Sequence, residues 1–254
     1  MHPRRLYAHR GASAERPENT MPAFERAVEV GGDFNIALEM DVHLTRDDQL
    51  VVAHDDSCFR TTGTQLAWTE LTMAEIERLD AGWGFVAPDG ERPFAGKSIR
   101  APRFEAVLEA FPNQHINVDI KGAKSVALML ELVRTHRAEE RVTIASFQLR
   151  TLVEMRRKGY AGETALSMTE VATLAALPGL AWRQLPFTGT AAQVPTHGGP
   201  LRFDRPAFIA KCHSVGLRVD FWVIDEPAEA KRLLDLGADG IMTNDPAKLR
   251  PVFV

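Results

Sequence analysis

The sequence YAHRG stands at residues 7–11, and two sequences of the same kind follow, LEMDV at residues 38–42 and VAHD at residues 52–55. Each is a short apolar run that carries histidine, arginine or carboxylate side chains. Side chains two apart on a β-strand share a face, so Glu39 and Asp41 are expected to project together. Two carboxylates on one face repel each other unless a cation or a proton lies between them. The alternative for the pair alone is a solvated strand face, because acidic residues are mostly exposed.

The rest of the chain repeats a strand followed by a helix. Prolines just inside a helix and glycines just after it mark three of the helices, which we expect to begin at Thr20, Asp204 and Asp225. Such repeated units require a parallel sheet. We therefore predict an α/β fold, a (β/α)8 TIM-type barrel. The eight strands are expected near residues 6–9, 37–43, 116–121, 142–146, 163–167, 181–185, 217–223 and 239–243.

Residues 57–100 break this alternation. A structureless loop of that length is uncommon in a compact domain, so we predict a small insertion subdomain over the barrel mouth, within a single catalytic domain of residues 1–254. Thr72 and Glu75 form the pattern of a capping box before a short helix. Packing within the insertion is the simplest role for its aromatic residues, which include Trp83, Phe85 and Phe94.

The composition fits one large folded domain and excludes several classes of protein. The 254 residues are 45% hydrophobic and 25% charged, and the formal net charge is -4. This charge gives no electrostatic footprint for nucleic acid or for an anionic membrane surface. No run approaches the roughly 18 apolar residues of a membrane span, and we expect no secretory signal. Cys58 and Cys212 are too few for a disulfide framework, so we expect reduced thiols in a cytoplasmic protein, with a disulfide between them as the alternative.

Functional groups of (β/α)8 barrels lie at the C-terminal ends of the strands, and polar residues accumulate at these positions here. His9 ends the first predicted strand, Glu39 and Asp41 the second, and Asp119 and Lys121 the third. Three carboxylates with no cysteine beside them form a hard oxygen site, which suits Mg2+ or Ca2+ better than zinc. The sequence therefore predicts a site for a divalent cation, Mg2+ or Ca2+, held by Glu39, Asp41 and Asp119.

Six ordered sequences carry a resemblance that spans most of the chain. They are AHRGASAERPENT at 8–20, EMDVHLTRDDQLVVAHDD at 39–56, DIK at 119–121, SF at 146–147, FWVI at 221–224 and GADGIMTNDP at 237–246. In this order they resemble the signature of the glycerophosphodiester phosphodiesterase family. The resemblance implies an insertion at residues 57–100 and catalytic roles for His9 and His54. The family more often has glutamate where this chain has Asp119, so this ligand departs from the pattern by one methylene group.

The chemistry of a phosphodiester explains why these residue types occur together. Displacement at phosphorus requires that the negative charge be neutralised, the nucleophile deprotonated and the leaving alkoxide protonated. Arg10 and Lys121 are expected to bring positive charge to the substrate. His9 and His54 suit an acid and base pair near neutral pH, and the sequence leaves open which histidine has which role. His43 shares the face of the two carboxylates, so contact with substrate or metal stays open for it.

Three further residues are expected around the site. Glu18 and Asn19 are expected to order the loop after His9 and to support the groups around it. Trp222 ends the seventh predicted strand. Its ring either walls a glycerol pocket or fills the barrel core, since it carries a large apolar area in both roles.

We therefore predict a metal-dependent phosphodiesterase that hydrolyses glycerophosphodiesters to sn-glycerol 3-phosphate and an alcohol. The attacking group is either the substrate's own 2-hydroxyl or water. One alternative is a lysophospholipase D-like enzyme, which an apolar groove on residues 57–100 would favour, although small soluble diesters are the expected better substrates. The other is a barrel that binds phosphodiesters without turnover. The predicted partner is a small-molecule glycerophosphodiester, with no nucleic acid and no membrane span, and the oligomeric state stays open.

Overall fold

The computed structural model describes residues 2–177, 187–199 and 201–254. Its strands are β1 (Arg5–His9), β2 (Ala37–Leu44), β3 (Leu50–Val52), β4 (Ile116–Ile120), β5 (Val142–Ala145), β6 (Ala191–Val194), β7 (His197–Gly198), β8 (Leu201–Arg202), β9 (Arg218–Phe221) and β10 (Gly240–Thr243). Strands β7 and β8 pair antiparallel with each other in a separate sheet. The other eight form one curled sheet with the order β5-β4-β2-β1-β10-β9-β6, in which all neighbours on this path are parallel and β3 pairs antiparallel with β2. Single parallel bridges from Ile144 to Thr164 and from Ala165 to Ala191 join the two ends of this sheet.

Helices cover the outside of this sheet. The first one buries Ala23, Phe24 and Ala27 against the strands and joins the main hydrophobic core. Within the described ranges, no helix has the length and apolar character needed to cross a membrane. The helices are α1 (Met21–Gly31), α2 (Phe59–Thr62), α3 (Met73–Ile76), α4 (Phe104–Ala110), α5 (Val126–Thr135), α6 (Leu149–Arg157), α7 (Met168–Ala176), α8 (Pro206–His213), α9 (Pro227–Asp235) and α10 (Pro246–Leu249).

The predicted α/β barrel is confirmed, while one of its strands differs in detail. The strand expected at 163–167 is reduced to the bridges at Thr164 and Ala165. The strand expected at 181–185 lies outside the described residues, and β6 follows at Ala191–Val194. At residues 163–167 the pairing is limited to two single bridges, and so short an extended segment gives little signal in hydrophobic periodicity.

Two of the predicted helix starts are wrong by one residue. Helix α8 is capped by Arg205 and helix α9 by Glu226, because the two aspartates before them bind elsewhere. Asp204 accepts hydrogen bonds from Arg202 and Arg232. Asp225 binds residues of the last strand and of the loop after it, and this contact becomes important at the site described below.

The segment of residues 57–100 packs around its own small apolar cluster. The cluster centres on the buried Trp68 and includes Cys58, Met73 and Ile76. The predicted capping box is confirmed at Thr72, whose side chain accepts the backbone N–H of Glu75. The predicted aromatic packing is also confirmed. The rings of Phe85 and Phe94 meet edge to face with their centroids 5.0 Å apart, and the ring centroids of Trp83 and Phe59 are 6.2 Å apart. The division into one domain with an insertion subdomain stays a prediction.

The N-terminal ends of the strands enclose a group of paired charges, which we call the floor cluster: Arg5, Glu163, Arg218 and Asp220. Arg218 donates a hydrogen bond to Asp220 at 2.8 Å, and Arg5 donates one to Glu163 at 2.8 Å. The hydroxyl of Tyr7 donates to Asp220 at 3.1 Å. Asp220 and Arg218 are buried while Arg5 and Glu163 are partly exposed, so this cluster pairs two basic with two acidic side chains at this end of the barrel.

Candidate active site

A cavity of about 430 Å3 opens at the C-terminal ends of the barrel strands. All eight residues predicted to be catalytic, metal-binding or substrate-binding line it, namely His9, Arg10, Glu39, Asp41, His54, Asp119, Lys121 and Trp222. Glu18 and Asn19, which were predicted as supporting residues, contact this lining from behind. The parallel register explains the convergence, because His9 is paired with Glu39 on adjacent strands and Asp41 with Asp119.

Three carboxylates and two cations lie together at one side of the cavity, and we call Arg10, Glu39, Asp41, Asp119 and Lys121 the mouth cluster. The three carboxylate residues are each at least 94% buried, so their charges are weakly screened. The Lys121 ammonium lies between two of them, 2.6 Å from Asp41 Oδ1 and 2.7 Å from Asp119 Oδ2. Burial alone lowers the pKa of Lys121, but the charges of Asp41 and Asp119 outweigh it and raise the pKa above its ordinary value.

Glu39 is the carboxylate whose charge is least compensated. Its Oε2 accepts the backbone N–H of Arg10 at 3.0 Å, a contact made possible by the left-handed backbone of Arg10, with φ of 56°. Burial, followed by repulsion from Asp41, raises the pKa of Glu39 well above its ordinary range. Burial likewise raises the pKa of Asp119, in spite of the nearby Lys121.

The donor set fits an additional cation at this position. Oδ1 of Asp119 is buried and has no hydrogen-bond partner among the described residues, and all three side chains offer carboxylate oxygens. Hard divalent cations such as Mg2+ and Ca2+ take such ligands. Among the described residues, the three possible metal ligands whose donor atoms already lie within 4.8 Å of one another are Glu105, Glu109 and His136, which lie on and after the helices α4 and α5 and do not line the cavity. The carboxylates of the mouth cluster are not grouped as closely, and the Lys121 ammonium lies between Asp41 and Asp119.

The hydrogen bonds of His9 determine where its proton lies. Its Nδ1 is 2.8 Å from Oδ1 of Asn244, and the Asn244 amide nitrogen donates to Asp225 Oδ2 at 2.9 Å. Because the amide oxygen must then face the ring, Nδ1 carries the hydrogen and Nε2 keeps its lone pair. That Nε2 lies 4.0 Å from Glu39 Oε2. Burial, followed by the charge of Arg10, lowers the pKa of His9, so the ring is neutral at neutral pH.

His54 has a charged partner where His9 has a neutral one. Its Nδ1 is 2.6 Å from Oδ1 of Asp55. Burial raises the pKa of Asp55, but hydrogen bonds from Arg60 and then from His54 lower it to about 2, so Asp55 is ionised. His43, whose role was left open, donates its Nε2–H to the backbone carbonyl of His54 at 3.0 Å and does not line the cavity.

The residues behind the lining hold the charged side chains in place. Glu18 accepts a hydrogen bond from Arg10 Nη1 at 3.0 Å, and Asn19 donates to Asp41 Oδ2 at 3.1 Å. Sequence reasoning assigned no role at the site to Asp55, Arg60, Asn244 or Asp225. Asp55 and Asn244 stand inside the sequences HDD and TNDP, which was the available signal. Asp55 has its partners nearby, at His54 and Arg60, whereas Asp225 and His9, which bind Asn244, are 19 and 235 residues away from it along the chain.

The other side of the cavity is almost entirely apolar. Trp222 meets Phe147 edge to face there at 6.0 Å, and Met168 and Phe147 are 61% and 52% exposed at the outer rim. Asn117 and Gln193 bind each other at 2.7 Å, so their polarity is satisfied internally. The apolar lining consists of Ala145, Phe147, Ala165, Leu166, Met168, Val171, Ala172, Val194, Pro195, Leu201, Phe203, Trp222, Val223 and Met242. It therefore comes from the second half of the barrel and not from the insertion.

Comparisons with known proteins agree with this geometry. Residues 9–248 match the model of the Glycerophosphoryl diester phosphodiesterase family. The chain is 32% identical to a glycerophosphodiester phosphodiesterase of Caldanaerobacter subterraneus over 96% of this chain and 95% of that protein. It is 30% identical to the lysophospholipase D of Homo sapiens over 96% of this chain and 84% of that protein. A phosphodiesterase of Oleispira antarctica, solved with the product sn-glycerol-3-phosphate, has the same fold with a TM-score of 0.81, 21% identity and coverage of 98% and 96%.

Proposed function

The chain belongs to the glycerophosphoryl diester phosphodiesterase family and is a glycerophosphodiester phosphodiesterase, and we propose that a divalent cation and two histidines carry out its reaction. The observation that supports this proposal is the convergence of His9, His54 and the mouth cluster on one cavity. The products are sn-glycerol 3-phosphate and an alcohol.

Glu39, Asp41 and Asp119 would hold the cation, since their buried oxygens carry more negative charge than the cluster compensates. A divalent ion bound there supplies a Lewis acid to the phosphodiester. The Lys121 ammonium already lies between Asp41 and Asp119, where positive charge is needed. Arg10 and Lys121 bind the phosphate, Arg10 through its planar fork and Lys121 as a compact charge.

His9 is the base in this proposal and His54 is the acid. The Nε2 lone pair of His9 takes the proton of the attacking group, which is the 2-hydroxyl of the substrate or a water molecule. Water gives glycerol 3-phosphate directly, whereas the 2-hydroxyl displaces the alcohol to leave a cyclic phosphate that water then opens. The ionised Asp55 stabilises the positive form of the His54 ring, which gives its proton to the departing alkoxide. The His9 ring, in contrast, meets a neutral amide at Nδ1, and it begins the reaction uncharged.

The test is the release of glycerol 3-phosphate from glycerophosphocholine and glycerophosphoethanolamine after chelation. We expect EDTA to abolish the release and Mg2+ or Ca2+ to restore it. Full activity in EDTA would contradict the metal site and leave the histidines and Arg10 to carry the reaction.

A lysophospholipase D activity is the second candidate, because the apolar side of the cavity is continuous with the reacting groups. In a lysophospholipid the acyl chain is attached to the glycerol. A single chain lying along Trp222, Phe147 and Met168 would be buried away from water. The human relative that bears this name is consistent with the candidate. The apolar groove that would favour this activity was expected on residues 57–100, but no residue of the insertion lines the cavity. The apolar surface lies in the second half of the barrel.

A substitution at the apolar rim of the cavity separates the two candidates. A lysophospholipase D should lose roughly 10-fold in kcat/KM on lysophosphatidylcholine when Met168 is replaced by glutamine, about the value of one partly buried methionine. Glycerophosphocholine should not respond. Val153→Gln is the control, since Val153 is exposed on α6 and does not line the cavity. An equal response of both substrates would count against an acyl site at Met168.

Other parts of the proposal concern location and partners. We propose a cytoplasmic protein that acts on a small-molecule substrate without a nucleic acid partner. Cys58 and Cys212 are both free and buried, which confirms the prediction that they are not joined and is consistent with a reducing compartment.

A further inference from the structure

The insertion places one arginine between two carboxylates that belong to different elements of the site. Arg60 lies in the short helix α2. Its Nε donates to Asp55 Oδ2 at 2.6 Å, and its two terminal nitrogens donate to both oxygens of Glu18, at 2.5 and 2.7 Å. A guanidinium group has the planar fork that this double contact needs, and an ammonium group does not.

Each of these carboxylates has a second partner in the cavity lining. Asp55 binds the Nδ1 of His54 at 2.6 Å, and Glu18 binds Arg10 at 3.0 Å. The guanidinium of Arg60 is therefore connected through one carboxylate to the proposed acid and through the other to the proposed phosphate ligand. Hydrogen bonds from Arg60 lower the pKa of Glu18 in spite of its burial, so both connecting groups are charged.

The rest of the insertion packs closely around this helix. Gly84 donates its N–H to the carbonyl of Thr61 at 2.9 Å, and a Cβ added at Gly84 would collide with the Arg60 carbonyl. The helix ends at Gly63 in the left-handed region, with φ of 74°. A Cβ at Gly63 would press on the ring of Trp83. The position of Arg60 thus depends on close backbone packing inside the insertion.

We propose that Arg60 is a positioning residue, which orients His54 through Asp55 and Arg10 through Glu18. This inference rests on the proposed function, because it assigns the insertion a task in that same reaction. The insertion then serves the chemistry by holding a guanidinium and not by covering the substrate.

Arg60→Met tests the inference, and Arg46→Met is the matched control. Arg46 has a similar exposure, 54% against 48% for its side chain, and binds the insertion at Glu75 and at the Glu70 carbonyl without touching the site. We expect Arg60→Met to lower kcat on glycerophosphocholine by about 10- to 100-fold, the usual effect of removing such a supporting group. Arg46→Met should keep the wild-type rate.

A second substrate separates positioning from general damage. A glycerophosphodiester with a nitrophenyl leaving group barely needs protonation, so an arginine that acts through His54 should matter less for it. We expect Arg60→Met to recover at least part of its loss there. Arg60→Lys keeps the positive charge but lacks the planar fork, so its kcat on glycerophosphocholine should lie between those of the wild type and Arg60→Met. If Arg60→Met does not fold, the kcat of Arg60→Lys on the two substrates tests the role of Arg60.

Three results would overturn different claims. Folded Arg60 variants that match Arg46→Met on both substrates would overturn the role of Arg60. Folded Arg60 variants that lose the same factor on both substrates would overturn its action through His54. If His54→Ala hydrolyses glycerophosphocholine at the wild-type rate, the proposed function is overturned instead.

Discussion

Two clusters of charged side chains lie at opposite ends of the barrel and differ in how their charges balance. The floor cluster pairs Arg5 and Arg218 with two carboxylates at 2.8 Å. The mouth cluster holds three carboxylates with Arg10 and Lys121, and the pKa of Glu39 is raised by burial and by its neighbour Asp41. A cluster in which positive and negative charges are equal in number needs no further ligand. An excess of buried negative charge destabilises the fold unless a cation binds.

The hydrogen bonds do not separate the two clusters in this way. In the floor cluster Asp220 Oδ2 accepts hydrogen bonds from Arg218 and from Tyr7, but Asp220 Oδ1 and Arg218 Nε are buried and have no partner among the described residues. In the mouth cluster Asp119 Oδ1 is buried and likewise has no partner there. The difference therefore lies in the balance of charge, from which we expect the floor to control stability and the mouth to control activity.

The largest effect is expected from Glu39→Gln, which keeps the shape of the side chain and removes its charge. Loss of a metal ligand should lower kcat/KM by at least about 10^3-fold, about 4 kcal/mol. The same substitution should raise the unfolding temperature in the absence of metal, because it removes a buried charge that Asp41 repels. Asp33→Asn, on an exposed side chain, should change neither quantity. Wild-type activity in Glu39→Gln would remove the distinction between the two ends.

Asp220→Asn should have the opposite pattern. Removal of one partner of a buried ion pair leaves Arg218 with an uncompensated charge and should cost roughly 3 kcal/mol of unfolding free energy. Denaturant titration measures this loss, and kcat of the folded protein should stay unchanged. Asp235→Asn breaks an exposed pair with Lys231 and should cost less than about 1 kcal/mol. A larger loss from Asp235→Asn than from Asp220→Asn would show that the floor cluster is not a stabilising element.

The histidines can be compared across the barrel in the same way. His9→Ala and His54→Ala should each slow turnover of glycerophosphocholine by about 100-fold, the usual contribution of a positioned acid or base. The nitrophenyl diester should restore the rate of His54→Ala and not that of His9→Ala. His115→Asn is the control in the floor, where His115 contacts Arg5 and Thr143 and should affect stability alone. If the nitrophenyl diester restores the rate of His9→Ala and not that of His54→Ala, His9 is the acid and His54 is the base.

Acid should weaken the floor through Glu163. Burial raises its pKa, but the bond from Arg5 and the charge of Arg218 lower it from 4.5 to about 2. A lowered pKa in the folded state gives stability that is present above about pH 4.5 and lost as the pH falls toward 2. Glu163→Gln lacks this dependence, so the advantage of the wild type in unfolding free energy should shrink by about 1 to 2 kcal/mol over that range. A constant difference between the two proteins would contradict the assignment.

The sequence predicts the parts of the molecule in which the signal is local. The strands that carry His9, Glu39 and Asp119 have clear apolar alternation, and the ends of parallel strands meet at one edge, so their convergence follows from the fold. The capping box at Thr72 is also a local pattern. These features need no knowledge of distant residues.

The features that the sequence does not reveal all depend on distant contacts. Asp225 has the appearance of a helix cap, but it holds Asn244, which in turn holds His9 from 235 residues away. Arg60 stands among ordinary polar residues of the insertion, and nothing in its neighbourhood indicates a bond to Glu18. The apolar side of the cavity is assembled from single residues of several strands and loops, so no contiguous apolar run in the sequence predicts it.

Thermal unfolding of the chelator-treated protein, titrated with Mg2+ and separately with Ca2+, tests the central claim most directly. A ligand that binds only the folded state raises stability by mass action, about 2.7 kcal/mol at 100 times its Kd. We predict that the unfolding temperature of the wild type rises with one or both ions and that Glu39→Gln loses this response. An unfolding temperature of the wild type that stays constant up to millimolar concentrations of both ions would contradict a cation site in the mouth cluster.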